Sequence, residues 1–231
     1  MSNLKPLNSD IRICGFFYFW LDFILKKGPN LNSDTPQYNA QISAGSLLLK
    51  ESSEIAKLLL EQVDEAGWHK ALVINNVLQK KTPSTALRMA SLIRNRLEMM
   101  DSAHWQLVLD DDREVVIQSL LVGAIKHSRL LEDFLCDVVR EHYRTFNHQI
   151  SSGDWRNFLI ECEHLSEIVA GWSGSTKKKL GQVVFRILAE SGYLNSDHKM
   201  QLSAIQIHPK VRDYLQTHDM KNILHCMEID R

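Results

Sequence analysis

Apolar residues recur at intervals of three and four along most of this 231-residue chain, and few segments alternate apolar and polar residues at every second position. The first spacing is that of a helix with one buried face, whereas the second is that of a half-buried strand. A chain of this length can also bury a core of its own. We therefore expect a mainly α-helical bundle.

Local signals predict where several of these helices begin. Thr82-Pro83 combines a capping residue with proline at the first helical position. Asp110-Asp111-Asp112 is typical of a polar turn whose last carboxylates favour the next helix start. From Arg113 to about Phe146 the spacing predicts one or two long central helices, jointed near Gly123 or His127.

A run of lysines at a helix start is the most distinctive feature for function. Ser175-Thr176 reads as a cap, so three lysines would occupy the first turn of the helix that follows. Cations oppose the helix dipole at that end, whereas a bound anion would be favoured there. We expect this helix to contact phosphates through Lys177, Lys178, Lys179 and Arg186.

Short β-prone segments follow the lysine helix. Tyr193-Leu194 precedes a polar turn, and Met200 to Ile207 alternates well enough to suggest a returning strand. A helix followed by a small C-terminal β-hairpin wing is the ending of a winged helix-turn-helix. Pro209 then begins a final helix.

A second basic cluster surrounds the Thr82-Pro83 start, and a helix-turn-helix would gather its members on one side. It consists of Lys80, Lys81, Arg88, Arg94 and Arg96. The alternative is a solvated helix face whose cations lie in its favourable second half. Neither cluster contains the interleaved aromatic residues that stack single-stranded bases, which favours contacts with a duplex backbone.

Composition and motifs narrow the class of function. The net charge of −1 excludes a polycation, so any nucleic-acid surface must be a local patch. The sequence contains no glycine-rich phosphate loop, no glycine-flanked serine and no His-Glu-x-x-His motif. Cys162 with His164, and His225 with Cys226, lack the paired spacing of a zinc site. We therefore predict no enzyme activity, no catalytic residues, no metal and no cofactor.

The cysteines and one apolar run indicate the cellular compartment in which we expect the protein. The four scattered cysteines fit reduced, mostly buried thiols in a cytoplasmic protein. The run from Ile13 to Leu25 is shorter than the roughly 20 residues of a membrane span and contains Asp22. It predicts a buried or partner-packed helix, with an interfacial membrane helix as the alternative, and no stable membrane insertion.

We divide the chain into three regions. Residues 1–37 form an extension with the apolar helix and a linker, because a Gly-Pro-Asn-rich stretch follows the apolar run. Residues 38–110 form an N-terminal helical region that resembles a helix-turn-helix. Residues 111–231 contain the central long helices and the winged-helix-like region.

From Tyr38 to about Leu215 the pattern resembles the BrxA family of BREX (bacteriophage exclusion) systems. The matching residues are dispersed along the chain. They are Tyr38-Asn39-Ala40, Ala44-Gly45-Ser46-Leu47-Leu48, Glu51-Ser52, Asn76-Val77-Leu78, Thr82-Pro83-Ser84-Thr85-Ala86, Arg94-Asn95-Arg96-Leu97, Asp133-Phe134-Leu135, Trp172-Ser173 and Leu188-Ala189-Glu190-Ser191-Gly192-Tyr193-Leu194. The first 37 residues depart from the family's usual start.

The resemblance implies a cytoplasmic, mainly helical and non-enzymatic component of antiviral defence that binds double-stranded DNA. It would act beside the methyltransferase, ATPase and phosphatase-like members of the system. Two alternatives stay open: a protein–protein adaptor whose basic patches meet acidic partners, and an RNA-binding helical bundle. For the oligomeric state we expect a monomer or a weak dimer.

Overall fold

Side-chain caps determine where several helices begin. The computed structural model describes residues 38–195 and 200–228. In it, the Thr82 hydroxyl accepts the Thr85 N–H at 3.3 Å, and the Asp112 carboxylate accepts the Glu114 N–H at 2.8 Å. Both predicted starts are confirmed. Ser151 caps a further helix through a capping box with Asp154.

The described residues are mainly helical, as predicted, and contain no extended strand. A 3-10 helix at Gln41–Ala44 comes first. The α-helices are α1 (Leu49–Leu60), α2 (Glu65–His69), α3 (Pro83–Glu98), α4 (Ser102–Leu107), α5 (Arg113–His127), α6 (Arg129–Asp133), α7 (Arg140–Arg144), α8 (Ser152–Leu165), α9 (Glu167–Ala170), α10 (Gly174–Glu190), α11 (Pro209–Thr217) and α12 (Lys221–Met227). Two π-helical segments, Lys70–Ile74 and Phe134–Val139, continue α2 and α6.

Helix α5 lies at the centre of the core. Its residues from Gln118 to Ile125 are all buried, because α1, α3, α4, α6, α11 and α12 pack around it. Such burial on every side is characteristic of a central helix. The side chain of Gln118 is satisfied there, since it donates to the Gln206 carbonyl at 2.9 Å and accepts the His208 N–H at 2.7 Å.

The joint predicted near His127 is confirmed. Ser128 adopts an extended conformation between α5 and α6, and its hydroxyl caps α6. This change of direction brings Phe134 into the core, where its ring makes edge contacts with Trp155 of α8 at 5.1 Å and with Phe185 of α10 at 6.1 Å. The same aromatic cluster therefore fixes α8 and α10 relative to the core.

The predicted C-terminal hairpin wing is not supported. Within the described residues, the returning segment makes only two isolated antiparallel bridges, from Leu202 to Leu194 and from Gln201 to Gln149. At the start of this segment Met200 has a positive φ of 48°, which is not the conformation of a strand. At its end the Gln206 carbonyl and the His208 N–H form hydrogen bonds with the side chain of Gln118 in α5 instead of with another strand. A segment with one bridge on each side forms no two-stranded ribbon.

The prediction that all the cysteines are reduced is wrong. Cys136 in the second π-helical segment and Cys226 in α12 form a disulfide with a Cα–Cα distance of 4.8 Å. Cys162 is a free, buried thiol, as expected, and burial raises its pKa to about 12. Cys14 lies outside the described residues.

The described residues belong to a compact unit that spans Thr35–Arg231. The predicted boundary at residue 110 falls inside this unit, in the turn between α4 and α5, and the division there stays a prediction. The apolar run at 13–25 lies outside the described residues. Among the helices that are described, none has the length and apolar character needed to cross a bilayer.

Candidate nucleic-acid interface

Helix α10 begins earlier than the sequence predicts. Ser173 is the capping residue, and its hydroxyl accepts the Thr176 N–H at 3.1 Å. The first turn therefore contains Gly174-Ser175-Thr176, and the lysines fall in the second turn. Because the helix dipole acts mainly within the first turn, it opposes these lysines less than we expected.

The exposed face of α10 is polar and basic. Its buried residues, from Leu180 to Leu188, face the core at helical spacing. The opposite face is exposed and consists of Lys178, Lys179, Gln182, Arg186 and Ala189. Within the described ranges, none of its three cations has an ion pair or a side-chain hydrogen bond. Three predicted site residues thus lie together on one free surface, which we call the α10 basic face.

Trp155 of α8 holds α10 in place from beneath. Its indole N–H donates to the carbonyl of Lys177 at 3.0 Å. Gly181 lies directly against the same ring, because a Cβ atom there would approach two ring atoms at 2.7 Å. The two helices therefore approach closely at a position that only glycine fits.

Lys177 differs from its two neighbours. Its ammonium lies 2.8 Å from the carboxylate of Glu163 on α8, and both side chains are about two-thirds or more buried. The cation is therefore already neutralised by a neighbour within the fold. The structure places this predicted phosphate ligand in an α8–α10 contact instead of on the α10 basic face.

Glu190 is the one carboxylate in α10, and it points inward. It accepts a hydrogen bond from the Ser46 hydroxyl at 2.8 Å and from the Leu47 N–H at 2.9 Å. Both partners follow the 3-10 helix, which packs against α10. The exposed side of α10 consequently carries cations with no carboxylate of its own helix among them.

In the second predicted cluster, Arg96 is a core residue. Its side chain is only 4% exposed and donates to the carbonyls of Ser46 at 2.5 Å and Gly45 at 3.0 Å. Burial lowers the pKa of this guanidinium to about 10, although the nearby Glu190 carboxylate opposes the shift. In this conformation Arg96 cannot reach a phosphate.

Two further members of that cluster are paired with carboxylates. Lys80 lies 2.5 Å from Glu51, and their side chains are 22% and 18% exposed. Burial alone would raise the pKa of Glu51, but the hydrogen bond from Lys80 brings it below its ordinary value. Arg94 bonds to Glu98 at 2.6 Å and Glu65 at 3.3 Å, and its guanidinium lies 4.6 Å from the centre of the Trp68 ring.

Only two cations of the second cluster stay free. Lys81 and Arg88 are exposed and have no ion pair within the part of the chain that the structure describes. The predicted residues therefore fall into two groups. Those that form contacts within the fold are Lys177, Lys80, Arg94 and Arg96, and those that stay available are Lys178, Lys179, Arg186, Lys81 and Arg88.

The sequence analysis did not predict the carboxylates that form ion pairs with these cations. The ion pair between Arg94 and Glu98 could have been predicted from the sequence, because their spacing of four residues is that of a helical ion pair. Glu51 and Glu163 had no such signal, since each lies more than ten residues from its lysine along the chain.

The chain is similar to proteins of known family. The family model described as BrxA matches residues 36–219. The BREX protein BrxA of Paramagnetospirillum magneticum is 41% identical over 194 residues, which cover 84% of this chain and 98% of that protein. The BREX protein BrxA of Escherichia coli O9:H4 is 30% identical, covering 89% of this chain and 97% of the relative.

A solved structure has the same fold. The crystal structure of an uncharacterized protein from Magnetospirillum magneticum superposes with a TM-score of 0.78 at 39% identity, covering 84% of this chain and all of that one. The family model covers well over half of the chain, and the resemblance drawn from the dispersed motifs is thereby confirmed. The chain belongs to the BrxA family.

Proposed function

We propose that this chain is a non-enzymatic component of a BREX phage-defence system that binds duplex DNA through the α10 basic face. The BREX assignment is supported by relatives that are named BREX protein BrxA. The DNA assignment depends on one observation: Lys178, Lys179 and Arg186 share an exposed helix face and have no partner in the described residues.

The dimensions of this face suit a duplex. Lys178 and Arg186 are eight residues apart in the sequence, which corresponds to about 12 Å along a helix. That length of duplex axis carries about seven phosphates. A major groove admits an α-helix, and Gln182 between the cations can bond to a base edge or a phosphate. Ala189 and the small residues at the start of α10 leave the approach open.

The α10 basic face favours DNA over RNA. The major groove of an RNA helix is deep and narrow, so a helix cannot enter it. The exposed face contains no aromatic side chain on which single-stranded bases could stack. A protein that binds by this face should therefore prefer duplex DNA to single strands and to structured RNA.

A salt titration of DNA affinity tests the proposal. We expect the triple variant Lys178→Ala, Lys179→Ala, Arg186→Ala to flatten the slope of log affinity against log salt by up to about three units, since each phosphate contact contributes about 0.9. If the wild type and the variant bind equally at 1 M salt, this difference in slope makes the variant's affinity up to roughly 500-fold lower than the wild-type affinity at about 0.1 M salt. Fluorescence anisotropy with a labelled duplex measures both quantities.

A matched control separates local contacts from net charge. The variant Lys50→Ala, Lys126→Ala, Arg113→Ala removes the same charge from exposed positions of α1 and α5, and we expect it to keep the wild-type slope within about one unit. If the two triple variants behave alike, the α10 basic face is not the binding site. If structured RNA outcompetes the duplex, the DNA assignment is wrong.

The role in phage defence has its own readout. In a host that carries a BREX gene set without this gene, the wild-type chain should restore resistance to phage plating. The α10 triple variant should fail to restore it while the control variant succeeds. Equal restoration by both variants would show that DNA contact by this face is dispensable for defence.

A further inference from the structure

Two exposed apolar residues lie on α3 and on the π-helical segment Lys70–Ile74, which continues α2 and packs against α3. Glu65 and Trp68 contact Arg94 near the end of α3, and a connection of eight residues turns the chain back. The two helices therefore run in opposite directions, which places Ile74 beside the first half of α3. Ile74 is 68% exposed and Leu87 is 45% exposed. We call this pair the hairpin patch.

Three unpaired cations are close to the residues of the hairpin patch along the chain. Lys70 precedes Ile74 by one helical turn, Arg88 adjoins Leu87, and Lys81 lies just before the start of α3. All three side chains are exposed, and none has an ion pair within residues 38–195 and 200–228. These cations are distinct from the α10 basic face.

A second exposed apolar patch has the opposite charge. Leu165 ends α8 and Ile168 lies in α9, and they are 43% and 54% exposed. Glu161 lies one turn before Leu165 on α8, and Glu167 adjoins Ile168. Both carboxylates are exposed and have no ion pair in the described part of the chain. We call these residues the α9 patch.

No described residue covers either patch, because the side chains of both are exposed within residues 38–195 and 200–228. Apolar centres with rims of opposite sign are complementary in both chemistry and charge. A net charge of −1 for the whole chain also leaves no long-range repulsion between copies.

We propose that the hairpin patch of one copy binds the α9 patch of another. Two different surfaces meet in this contact, so each copy keeps one patch free for the next and the assembly extends head to tail. The patches are small, so the contact is weak in solution. Copies aligned on one duplex would then bind it cooperatively, which goes beyond the proposed DNA binding by a single chain.

Reciprocal charge reversal tests this contact without DNA. Sedimentation velocity over a concentration series should show reversible self-association of the wild type at about 50 mM salt, weaker at about 500 mM. The variants Lys81→Glu/Arg88→Glu and Glu161→Lys/Glu167→Lys should each associate at least about tenfold more weakly, because like charges then face each other. An equimolar mixture of the two variants should recover association, since every rim again meets its opposite.

The mixture is the decisive arm, because misfolding of either variant cannot produce recovery. Circular dichroism melts check that each variant keeps the wild-type fold. Two results would overturn the proposal: a wild type that sediments as a monomer at every concentration, or a mixture that stays as weak as its components. If the wild type is monomeric but Ile74→Ser/Leu87→Ser abolishes phage defence, the patch serves a different protein and self-association is wrong. Because no DNA is present, the result is independent of the test for duplex binding.

Discussion

Helices α3 and α10 appear equivalent in the sequence, since each carries a cluster of lysines and arginines, yet the fold treats them differently. In and just before α3, one cation is buried and two are held by carboxylates. In α10, one is held by Glu163 and three stay on the surface. The cluster near α3 has five cations and the cluster in α10 has four, yet three cations of α10 are available to an external anion and only two of the α3 cluster are.

The difference arises from where the carboxylates of each region point. Near α3, Glu51 and Glu98 turn toward the cations. In α10, Glu190 turns away from them and binds Ser46 and Leu47. Arg96 and Glu190 thus bind the same short segment after the 3-10 helix: Arg96 donates to its carbonyls, and Glu190 accepts from a backbone N–H. A cluster of basic residues indicates a binding surface only when its acidic neighbours are occupied elsewhere.

Removing the buried arginine should have the largest effect. Arg96→Met keeps most of the aliphatic volume but leaves the carbonyls of Gly45 and Ser46 without their donor and Glu190 without its nearby cation. We expect a loss of about 3–5 kcal/mol in the free energy of unfolding. Denaturant unfolding measures it, and Arg88→Met on the exposed side of the same helix should change stability by less than about 0.5 kcal/mol. Equal effects would contradict the assignment of Arg96 to the core.

The close approach of α10 to α8 gives the next effect. In Gly181→Ala the new Cβ would meet the Trp155 ring at 2.7 Å, so the ring or the helix must shift. We expect about 1–3 kcal/mol of destabilisation, together with a changed emission spectrum from the displaced indole. Gly174→Ala is the control on the same helix, because its added Cβ has no neighbour within 4 Å, and it should be neutral or slightly stabilising. A neutral Gly181→Ala would disprove the close packing.

The buried polar groups around α3 also predict a pH dependence. His104 is fully buried beside α3 and donates to the Ser119 carbonyl at 2.9 Å, and burial lowers its pKa to about 4. The unfolded chain takes up this proton near pH 6.5, so stability is complete above that pH and falls as the pH falls toward 4. Between pH 6.5 and 5 the loss should be about 2 kcal/mol.

The comparison of wild type with His104→Gln isolates this contribution, because other histidines titrate in the same range. Burial and the nearby Arg96 lower the pKa of His127 as well. The hydrogen bond to the Tyr214 carbonyl and the nearby Asp101 raise the pKa of His218, which therefore has the opposite effect on stability. We expect a flatter dependence of unfolding free energy on pH in His104→Gln. An unchanged slope would show that His104 is solvated or already protonated in the folded chain.

The sequence predicted the elements of the fold better than their mutual contacts. Caps and proline positions act locally. The helix starts at Thr82 and Asp112 and the helix break at Ser128 could therefore be predicted from the sequence. The failed hairpin depended on the backbone at Met200 and on distant hydrogen bonds to Gln118. No local pattern encodes either of these.

The candidate site was predictable in part for the same reason. Helical spacing alone places Lys178, Gln182 and Arg186 on one face. It cannot tell that Ser173 rather than Ser175 caps the helix, nor that Lys177 meets a carboxylate fourteen residues earlier in the chain. The available charge of a basic helix therefore requires the tertiary structure, even when the helix itself does not.

The smallest effects distinguish adjacent lysines within α10. Lys178→Ala should flatten the salt dependence of duplex affinity by about 0.9 units, whereas Lys177→Ala should change it by less than half as much. Lys177→Ala instead removes a partly buried ion pair, at a cost of less than about 1 kcal/mol in stability. Anisotropy titrations and denaturant unfolding on the same two proteins measure both quantities.

The partner carboxylate provides the converse experiment. Glu163→Gln keeps the shape of α8 but frees the Lys177 ammonium, so a fourth cation of α10 becomes available beside the α10 basic face. We expect tighter duplex binding and a salt slope that is steeper by up to about 0.9 units. This gain should disappear in Glu163→Gln/Lys177→Ala, because the effect depends on the released lysine and not on the loss of a negative charge. A gain that survives in the double variant would mean that general charge, and not pairing within the fold, sets the affinity of this surface.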